Sequence, residues 1–305
     1  MPPIASVDVP ASSANLGSGF DCFAVALSLK LRAELWNGEE TGIVLNARGE
    51  GAPGDVDPQS ARDNLLVSAF REGLRASSAP GAASWRIEVS SMIPSARGLG
   101  SSAAAIVTGV VLGAAVGRRT VDADELLELG ARLEGHPDNV AAALYGGFTV
   151  AVADDTGVTL RRFRPPEAWI PIAFIPRIES LTREMRARLP ATVDHAAAAR
   201  QAGRSALLAT AIMTSDASLL RSAMADELHQ PYRLPLLRGS REMIELAYER
   251  GAAGACLSGA GPAVLAICDS PASAHAVEKA WNSAGLAGIA TRLRFDTAGA
   301  KLVAE

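Results

Sequence analysis

The residues best suited to chemistry lie in a glycine- and serine-rich segment, residues 94–104, which reads PSARGLGSSAA. Small side chains let a backbone approach an anion closely, and the N–H groups and dipole of a first helical turn attract negative charge. Set between an expected strand and a long apolar helix, the segment predicts a phosphate-binding loop, although none of the chain's three lysines lies in it. The alternative is an ordinary glycine turn in which Ser101 or Ser102 caps the helix.

A second polar segment, residues 10–21 (PASSANLGSGFD), precedes an expected buried strand. It places an amide, Asn15, and a carboxylate, Asp21, among small residues that leave room for a ligand. The same two residues are also typical of an ordinary loop in which the aspartate caps a turn. Their interpretation as a binding loop therefore depends on the other segments.

A third segment, residues 133–139 (LEGHPDN), places a carboxylate at the end of a helix and three polar residues in the turn after it. A zinc site would need further His or Cys ligands, and the other three histidines lie far away in the sequence. The Glu134 carboxylate suits Mg²⁺, which takes one or two protein oxygens and completes its shell with water and phosphates. Capping of a helix by Asp138 is the alternative use of this turn.

A fourth segment, residues 257–262 (LSGAGP), is an expected glycine turn between two apolar strands. Most such turns only connect their strands. This turn gains functional interest if the fold places it beside residues 94–104.

The elements that must position these segments follow from hydrophobic periodicity. Strands are expected at 23–35, 42–51, 85–91, 146–153, 169–175, 255–258, 263–268 and 289–295. Helices are expected over 62–74, from 101 or 102 to 117, over 122–133, in several pieces between 180 and 251, and over 272–284. The order lacks regular βαβα alternation and indicates an α+β protein in two lobes. We place the boundary near Pro165, which gives domains of 1–165 and 166–305.

Composition limits the class of protein. The chain has 305 residues, 49% of them apolar and 20% charged, with a formal net charge of −4. The length suits about two domains, and the acidity argues against a nucleic-acid-binding protein, which would show a basic face. Three cysteines are too few for a disulfide framework and indicate a reducing compartment. Because no secretory signal is visible and the apolar stretch 103–117 is too short for a membrane span, we expect a cytoplasmic protein without nucleic-acid or membrane partners.

Taken together, the four segments resemble the GHMP kinase superfamily and, within it, the homoserine kinases. The resemblance runs through PASSANLGSGFDCFAVAL, PSARGLGSSAA, LEGHPDNVAAALYGG and LSGAGPAV in that order. Related mevalonate and diphosphocytidyl-methylerythritol kinases carry a lysine in the first of these regions, and this chain does not. The resemblance implies an N-terminal lobe like domain 2 of ribosomal protein S5 and a ferredoxin-like C-terminal lobe, with ATP between them.

The resemblance also implies how ATP and Mg²⁺ bind. Asn64 resembles the adenine-contacting asparagine of the family, and Glu134 with Ser101 or Ser102 would hold Mg²⁺. The loop departs from the common pattern at residues 95–97, where relatives have Leu-Gly-Arg or Leu-Gly-Leu, but these positions mainly shape the backbone. The residues expected around the nucleotide phosphates are Pro94, Ser95, Arg97, Gly98, Leu99, Gly100, Ser101, Ser102 and Ala103.

For the second substrate, the resemblance implies a site for an amino acid. Arg233 would bind its carboxylate through two hydrogen bonds, which suits a planar guanidinium, and Asp21 would bind its ammonium group. Asn139 and Arg186 are expected to stabilise the transferring group, while Asp138 is either a base or a structural residue. The residues expected around this substrate are Asn15, Asp21, His136, Asn139, Thr182, Arg186, Arg233 and Gly259.

The implied activity is transfer of the γ-phosphoryl group of MgATP to the hydroxyl of L-homoserine, which gives O-phospho-L-homoserine on the route to threonine. Two alternatives stay open from the residues: a GHMP kinase for another small alcohol such as mevalonate or shikimate, and a non-catalytic metabolite sensor of the same fold. Relatives are often homodimers, but the residues themselves do not determine the oligomeric state of this chain.

Overall fold

The computed structural model describes residues 2–38, 42–50, 55–56, 64–79 and 84–303, and within them twelve strands form two sheets. The strands of the first part of the chain are β1 (Ala5–Ala14), β2 (Phe23–Asn37), β3 (Ile43–Gly49), β4 (Asp55–Val56), β5 (Trp85–Ser91), β6 (Phe148–Asp154) and β7 (Gly157–Phe163). Those of the second part are β8 (Ile170–Pro176), β9 (Gly254–Leu257), β10 (Val264–Cys268), β11 (Gly288–Arg292) and β12 (Lys301–Val303).

The helices lie between these strands. The first lobe contains α1 (Leu65–Ala76), α2 (Ser101–Ala115), α3 (Ala123–Glu134) and α4 (Asp138–Tyr145). The second contains α5 (Thr182–Arg186), α6 (His195–Thr214), α7 (Leu220–Ala223), α8 (Gln230–Arg233), α9 (Ser240–Glu249) and α10 (Pro271–Ser283).

The larger sheet and the helices packed on it carry the first three functional segments: the first leads from β5 into α2, the second runs from the end of β1 towards β2, and the third forms the turn between α3 and α4. The strand order of this sheet is β12-β1-β2-β5-β3-β4, with β6 and β7 attached through β2. Strand β2 alternates between buried and more exposed residues only from Leu31 onward; its first five residues, Phe23–Leu27, are all buried, so the expected period of two holds for the second half alone. Strand β3 pairs with β5 in parallel after the chain passes through α1. The predicted strands and helices of this lobe are present, with ends that differ by a few residues.

Strand β1 is the main element that the sequence pattern does not reveal. Residues 10–14 belong to this strand, with Ser12 opposite Ala26 and Ser13 opposite Val25, and not to a loop. Nearly every residue of β1 is buried, on both faces of the sheet. Because small serines occupy buried positions that usually hold apolar residues, no period of two appears. Strands β7 and β12 and helix α4 were likewise not predicted.

Helix α2 is buried, as its apolar composition predicts, but it does not begin with a serine cap. Gly100 occupies the cap position with a left-handed φ of 70° and no side-chain hydrogen bond. Ser101 and Ser102 are already helical, so their hydroxyls are free of the capping role that the sequence suggested. The cap geometry thus turns both hydroxyls into candidates for binding.

The smaller sheet forms the second lobe. Its order is β11-β8-β10-β9, with all pairs antiparallel. Helices α9 and α10 pack on it around the buried Trp281 and Phe174. The tail of the chain returns to the first lobe, where Phe295 bridges to Leu27 and β12 pairs with β1. The boundary at Pro165 stays a prediction, and this tail crosses it.

Within the described ranges, no helix combines the length and the apolar character needed to cross a bilayer.

Candidate active site

A cavity of about 400 Å³ opens where the two lobes meet, and most of the residues singled out from the sequence line it. Its wall includes both ends of the expected site, from Asn64 at one end to Arg233 at the other. The predicted residues on this wall are Asn15, Asp21, Asn64, Ser95, Gly98, Gly100, Ser101, Ser102, Glu134, His136, Asp138, Asn139, Thr182, Arg186, Arg233 and Gly259.

Four residues of the predicted phosphate loop do not line the cavity. Leu99 and Ala103 are buried in the core of the first lobe, and Pro94 is buried as well. The Arg97 guanidinium instead spans the lobe boundary, where it donates to the carbonyls of Pro176 at 3.0 Å and Arg177 at 2.9 Å. Any contribution of Arg97 to nucleotide binding therefore comes from its backbone.

The backbone of residues 94–104 adopts a conformation that requires glycine at two positions. Gly98 and Gly100 have φ values of 80° and 70°, a region that side chains disfavour. A Cβ on Gly98 would lie 2.2 Å from the Ser258 carbonyl oxygen, and one on Gly100 would lie 2.1 Å from the Ser12 hydroxyl. The loop is thus pressed against its neighbours, with its backbone facing the cavity.

The fourth segment, residues 257–262, lies directly beside this loop. The Ser258 hydroxyl donates to the Gly98 carbonyl at 2.6 Å and lies 2.8 Å from the Ser13 hydroxyl of β1. The Ala263 N–H donates to the Arg97 carbonyl at 3.1 Å. This glycine turn therefore buttresses the loop from the second lobe, which is the placement that gives it functional interest.

At the start of α2, a hydroxyl and a carboxylate meet. The Ser102 hydroxyl donates to Glu134 Oε2 at 2.5 Å. Burial raises the pKa of Glu134, and the Ser102 hydrogen bond only partly offsets it. Burial without a cation destabilises the charged carboxylate, and a divalent cation would supply the missing counter-charge. Two hard oxygen donors beside free N–H groups fit Mg²⁺ together with phosphate.

Among the described residues, no group of three or more His, Cys, Asp or Glu side chains could hold a metal ion without other ligands. A cation at Glu134 would therefore need oxygens from a bound phosphate and from water. That requirement matches the way proteins bind Mg²⁺ with nucleotides.

Asp138 organises the turn before α4 and does not cap the helix. Pro137 occupies the cap position, and Asp138 is the first helical residue. Its Oδ1 accepts from the Asn139 N–H at 2.6 Å and lies 2.6 Å from His136 Nδ1. Burial lowers the pKa of His136, but the hydrogen bond to Asp138 and nearby negative charge outweigh it, so the net shift is upward.

Asn139 is fixed from the opposite side by β1. The Ser12 hydroxyl donates to Asn139 Oδ1 at 2.8 Å. With its oxygen engaged, the side chain has its NH₂ group as the part available to a ligand. Asn139 can therefore donate hydrogen bonds into the cavity.

Asn15 and Asp21 hold the loop between β1 and β2 in an unusual shape. Asn15, Leu16 and Asp21 all have left-handed backbones, with φ of 68°, 46° and 53°. The Asn15 amide donates to the Gly259 carbonyl at 2.9 Å, and its oxygen accepts the Asp21 N–H at 3.0 Å. Such clustering of strained residues is typical of functional sites.

Asp21 and Arg186 form a bidentate ion pair between the lobes. Both guanidinium nitrogens, NH1 and NH2, lie 2.7 Å from carboxylate oxygens of Asp21. The Asp21 hydrogen bond raises the pKa of Arg186. The pair connects the β1–β2 loop to α5 and places the two predicted residues against each other.

Arg233 is a buried cation that pairs with no carboxylate among the residues that the structure describes. It is 1% exposed, and its NH1 donates to His229 Nδ1 at 3.2 Å and to the Gly259 carbonyl at 3.4 Å. Its Nε has no hydrogen-bond partner within the described part of the chain. Burial and the charge of Arg186 lower the pKa of Arg233 to about 10. An anion bound here would satisfy both the charge and the free donor.

Several site residues were not found by sequence reasoning. Phe20 packs against two guanidinium groups: the Cζ atoms of Arg186 and Arg233 each lie 5.5 Å from the centre of its ring. His229 and the hydroxyls of Ser12 and Ser258 lie behind the residues that line the cavity and hydrogen-bond to their neighbours. Phe20 stands within residues 10–21 and His229 four residues before Arg233, but their types alone suggest core packing.

Comparisons with known proteins agree with this geometry. Models for the GHMP kinases N terminal domain and the GHMP kinases C terminal region match residues 64–147 and 206–287. Homoserine kinase from Streptomyces avermitilis is 40% identical over 303 residues, covering 97% of this chain and 95% of the relative. Homoserine kinase from Deinococcus radiodurans is 38% identical over 298 residues, covering 96% and 95%.

A solved structure extends the likeness to the whole fold. The crystal structure of homoserine kinase from Cytophaga hutchinsonii matches with a TM-score of 0.86 and 25% identity, covering 98% of this chain and 97% of that chain. The expected α+β, two-lobed fold is confirmed by this match and by the two family models. On these sequence matches, the chain belongs to the homoserine kinases of the GHMP kinase family.

Proposed function

We propose that this protein transfers the γ-phosphoryl group of ATP to the side-chain hydroxyl of L-homoserine and forms O-phospho-L-homoserine. The observation that carries the proposal is that one cavity joins a glycine loop at a helix N-terminus to the buried Arg233, which has no carboxylate partner in the described part of the chain. The first feature suits a nucleotide phosphate and the second suits an amino-acid carboxylate. The relatives named homoserine kinase support the same substrate.

At the nucleotide end, Gly98, Gly100, Ser101 and Ser102 line the cavity, and the first turn of α2 offers N–H groups without helical partners. Asn64 lies at the far end, where its Oδ1 already accepts from the Leu66 N–H at 3.0 Å. Its NH₂ group is left to donate to the base. The loop thus binds phosphate through backbone and dipole, without lysine.

Ser102 and Glu134 are the residues that would hold Mg²⁺. The short contact between them supports Ser102 over Ser101 as the hydroxyl ligand. Bound there, the ion would neutralise phosphate charge as the γ-phosphoryl group is transferred. The carboxylate of Glu134, desolvated in the cavity wall, would gain its counter-charge from the same ion.

At the amino-acid end, Arg233 binds the carboxylate and Asp21 binds the ammonium group. Asp21 pairs with Arg186, and the guanidinium groups of Arg186 and Arg233 both lie against Phe20, so a zwitterion bound here can meet both a carboxylate and the Arg233 guanidinium. Homoserine binding then competes with Arg186 for the Asp21 carboxylate and leaves the Arg186 guanidinium free to stabilise negative charge. Thr182, on the same short helix as Arg186, lines the cavity close to this end.

The arrangement favours positioning and charge stabilisation over a strong base. Phosphoryl transfer has a loose transition state, so alignment of the hydroxyl can supply much of the acceleration. Oδ1 of Asp138 is engaged by His136 and Asn139, which supports a structural role for Asp138. Asn139 donates toward the reacting oxygen, and Arg186 stabilises the transferring group.

The test is an assay of ADP release by purified protein with MgATP and one acceptor at a time: L-homoserine, mevalonate, shikimate or galactose. We expect turnover with homoserine and none above background with the others. Phosphorylation of mevalonate or shikimate with homoserine untouched would overturn the substrate. No ADP release with any of the four would favour a metabolite sensor.

A further inference from the structure

We propose that His229 is a positioning residue that holds the Arg233 guanidinium in place for the substrate carboxylate by accepting a hydrogen bond at Nδ1. The inference rests on the proposed function in one respect, the role of Arg233. His229 itself lies behind Arg233, is fully buried, and does not line the cavity. It acts on the substrate only through the arginine.

The contacts of the ring fix its tautomer. His229 Nε2 lies 3.0 Å from the Gly17 carbonyl oxygen, which can only accept, so Nε2 carries the proton. Nδ1 of the neutral ring is then an acceptor, and Arg233 NH1 donates to it at 3.2 Å. Protonation of Nδ1 would place a donor against a donor and a second positive charge beside the guanidinium. The neutral Nε2–H tautomer is therefore the form that can hold Arg233.

The charged groups around the ring explain why it stays neutral. Asp226 Oδ2 lies 3.5 Å from Nε2 on one side, and the Arg233 charge lies on the other. Asp21 across the loop adds a distant negative charge, and the Cys256 thiol on β9 is buried nearby. Burial is the largest influence on His229 and, with Arg233, it outweighs the two carboxylates, so the pKa is lowered.

The Asp226 carboxylate is engaged by backbone N–H groups and by the Gln201 side chain, and so fixes the ring without taking its proton. It accepts from the N–H groups of Leu228 at 2.9 Å, His229 at 3.0 Å and Gln230 at 2.6 Å, and from Gln201 Nε2 at 2.8 Å. One face of the His229 ring stacks on Phe20, with ring centres 5.4 Å apart and planes 25° apart. Phe20 in turn lies against both arginines. The ring therefore holds Arg233 directly by a hydrogen bond and indirectly through Phe20.

The test is a double-mutant cycle in the full-length enzyme with four proteins: the parent, H229F, R233A and the double variant. Phenylalanine keeps a ring against Phe20 but offers no acceptor. We expect H229F to raise KM for homoserine on the order of tenfold or more, with KM for ATP within about twofold of the parent. In the R233A background, His229→Phe should change KM for homoserine by less than about twofold, because the effects of mutating two residues that act as one unit are not additive.

Two further variants separate positioning from folding. H229N keeps an acceptor at the δ position and should restore much of the homoserine affinity despite its smaller volume. H275F makes the same exchange at an exposed position of α10 and should match the parent. Fully additive losses in the cycle, or H229N behaving no better than H229F, would overturn the proposal.

An NMR measurement that needs no turnover tests the His229–Arg233 contact independently of the identity of the substrate. In ¹⁵N-histidine NMR spectra, the neutral Nε2–H tautomer of His229 should persist to well below pH 6.5, and its Nδ1 signal should shift in R233A. A Nδ1–H tautomer, or no response to R233A, would contradict the proposal. If the parent enzyme fails to phosphorylate homoserine while these spectra appear as expected, the proposed function fails and the His229–Arg233 contact stands.

Discussion

At the level of single residues, Arg233 shows how a buried charge can be kept ready for a ligand. A guanidinium removed from water needs a counter-ion or hydrogen-bond acceptors. The protein supplies neutral acceptors, His229 Nδ1 and the Gly259 carbonyl, and leaves Nε without a partner among the described residues. The missing negative charge is then the feature that selects a carboxylate.

Replacement of Arg233 by alanine tests this role. We expect R233A to raise KM for homoserine by about tenfold to a hundredfold, since a charge-assisted hydrogen bond contributes about 1.5–3 kcal/mol. KM for ATP should stay within about twofold, because the glycine loop is untouched. R233K should recover only part of the affinity, since an ammonium group lacks the planar fork. Steady-state kinetics with each substrate varied in turn provide the measurement.

The control for R233A is R241A, which removes an exposed arginine on α9 outside the cavity. This variant should have the KM values of the parent for both substrates. If R233A raises the KM values for ATP and for homoserine equally, the assignment of Arg233 to the homoserine carboxylate is wrong.

A second prediction concerns Glu134. The E134Q variant removes the charge while keeping the shape, so Mg²⁺ loses its carboxylate ligand. We expect the Mg²⁺ concentration for half-maximal activity to rise on the order of tenfold or more, as metal sites lose affinity when even supporting groups are changed. Activity is measured across a Mg²⁺ titration at saturating ATP.

The matched control is E128Q, on the exposed side of the same helix α3. It should leave the Mg²⁺ titration unchanged. An E134Q enzyme that reaches half-maximal activity at the Mg²⁺ concentration of the parent would show that Glu134 is not a ligand.

The polar segments and the family resemblance together mark most of the polar residues of the cavity wall, but neither its apolar residues nor the contacts among its members. The resemblance marked Asp21, Arg186 and Arg233 one by one. Their pairing depends on a fold that brings residue 21 beside residue 186, and periodicity contains no such information. His229 was passed over because a lone histidine in an apolar setting gives no signal until its two nitrogens are seen to have different partners.

At the level of elements, the close crossing of α1 and α2 determines where Asn64 lies. Glycines at the crossing let the two backbones approach: a Cβ on Gly109 would lie 2.4 Å from the Leu66 carbonyl, and one on Gly113 would lie 2.3 Å from that of Phe70. Asn64 is the N-cap of α1, and α2 begins at the phosphate loop. The crossing thus couples the base end of the cavity to the phosphate end.

Gly113→Ala tests this coupling. A methyl group there would collide with backbone, which cannot move as a side chain can, so we expect a loss of stability of about 1–3 kcal/mol. Because α1 must shift away from α2, KM for ATP should also rise several-fold, while KM for homoserine changes little. Urea unfolding and steady-state kinetics measure the two effects.

Gly203→Ala on α6 is the matched control, since no heavy atom lies within 4 Å of a Cβ built there. It should leave both KM values unchanged and stabilise the helix by about 0.5–1 kcal/mol. If Gly113→Ala proves as harmless as this control, the crossing does not constrain the two helices.

Elements with a regular apolar period or a long apolar run were predicted well, and strand β1 was not. Helix α1 and the second half of β2 follow from their apolar periods, and helix α2 follows from its apolar composition. Strand β1 was missed because Ser12 and Ser13 are buried in it against distant partners, the Asn139 amide and the Ser258 hydroxyl, which only the fold supplies. Helix α4 was missed because its eight residues begin inside the polar turn that the sequence marked for chemistry.

At the level of the whole molecule, the active site depends on contacts between the lobes. The Asn15 amide reaches Gly259, the Ser258 hydroxyl reaches Gly98, and Arg97 reaches Pro176. Each contact joins a loop of the first lobe to backbone of the second, or the reverse. A change of lobe orientation would therefore alter the phosphate loop and the amino-acid end together, which suits an enzyme that must align two substrates.

The pH dependence of stability reports on one of these inter-lobe contacts. His229 joins α8 to the Gly17 carbonyl of the first lobe, and burial lowers its pKa in the folded protein. Between that lowered value and about 6.5, the unfolded chain binds a proton that the folded chain does not. The free energy of unfolding should therefore fall as pH falls through this range, by up to about 1.4 kcal/mol per pH unit from this group.

The difference between the parent and H229F isolates this contribution. The pKa of His136 is raised in the folded protein, so its contribution to the free energy of unfolding is fully present below pH 6.5 and is lost only at higher pH. Glu134, also with a raised pKa, titrates in both proteins and cancels in the comparison. Urea unfolding between pH 5 and 7.5 should show a steeper decline for the parent than for H229F on the acid side of 6.5, and parallel curves on the alkaline side. If the two curves were parallel throughout, His229 would have the same pKa in the folded and the unfolded protein. The contact between the lobes would then not depend on the neutral form of His229.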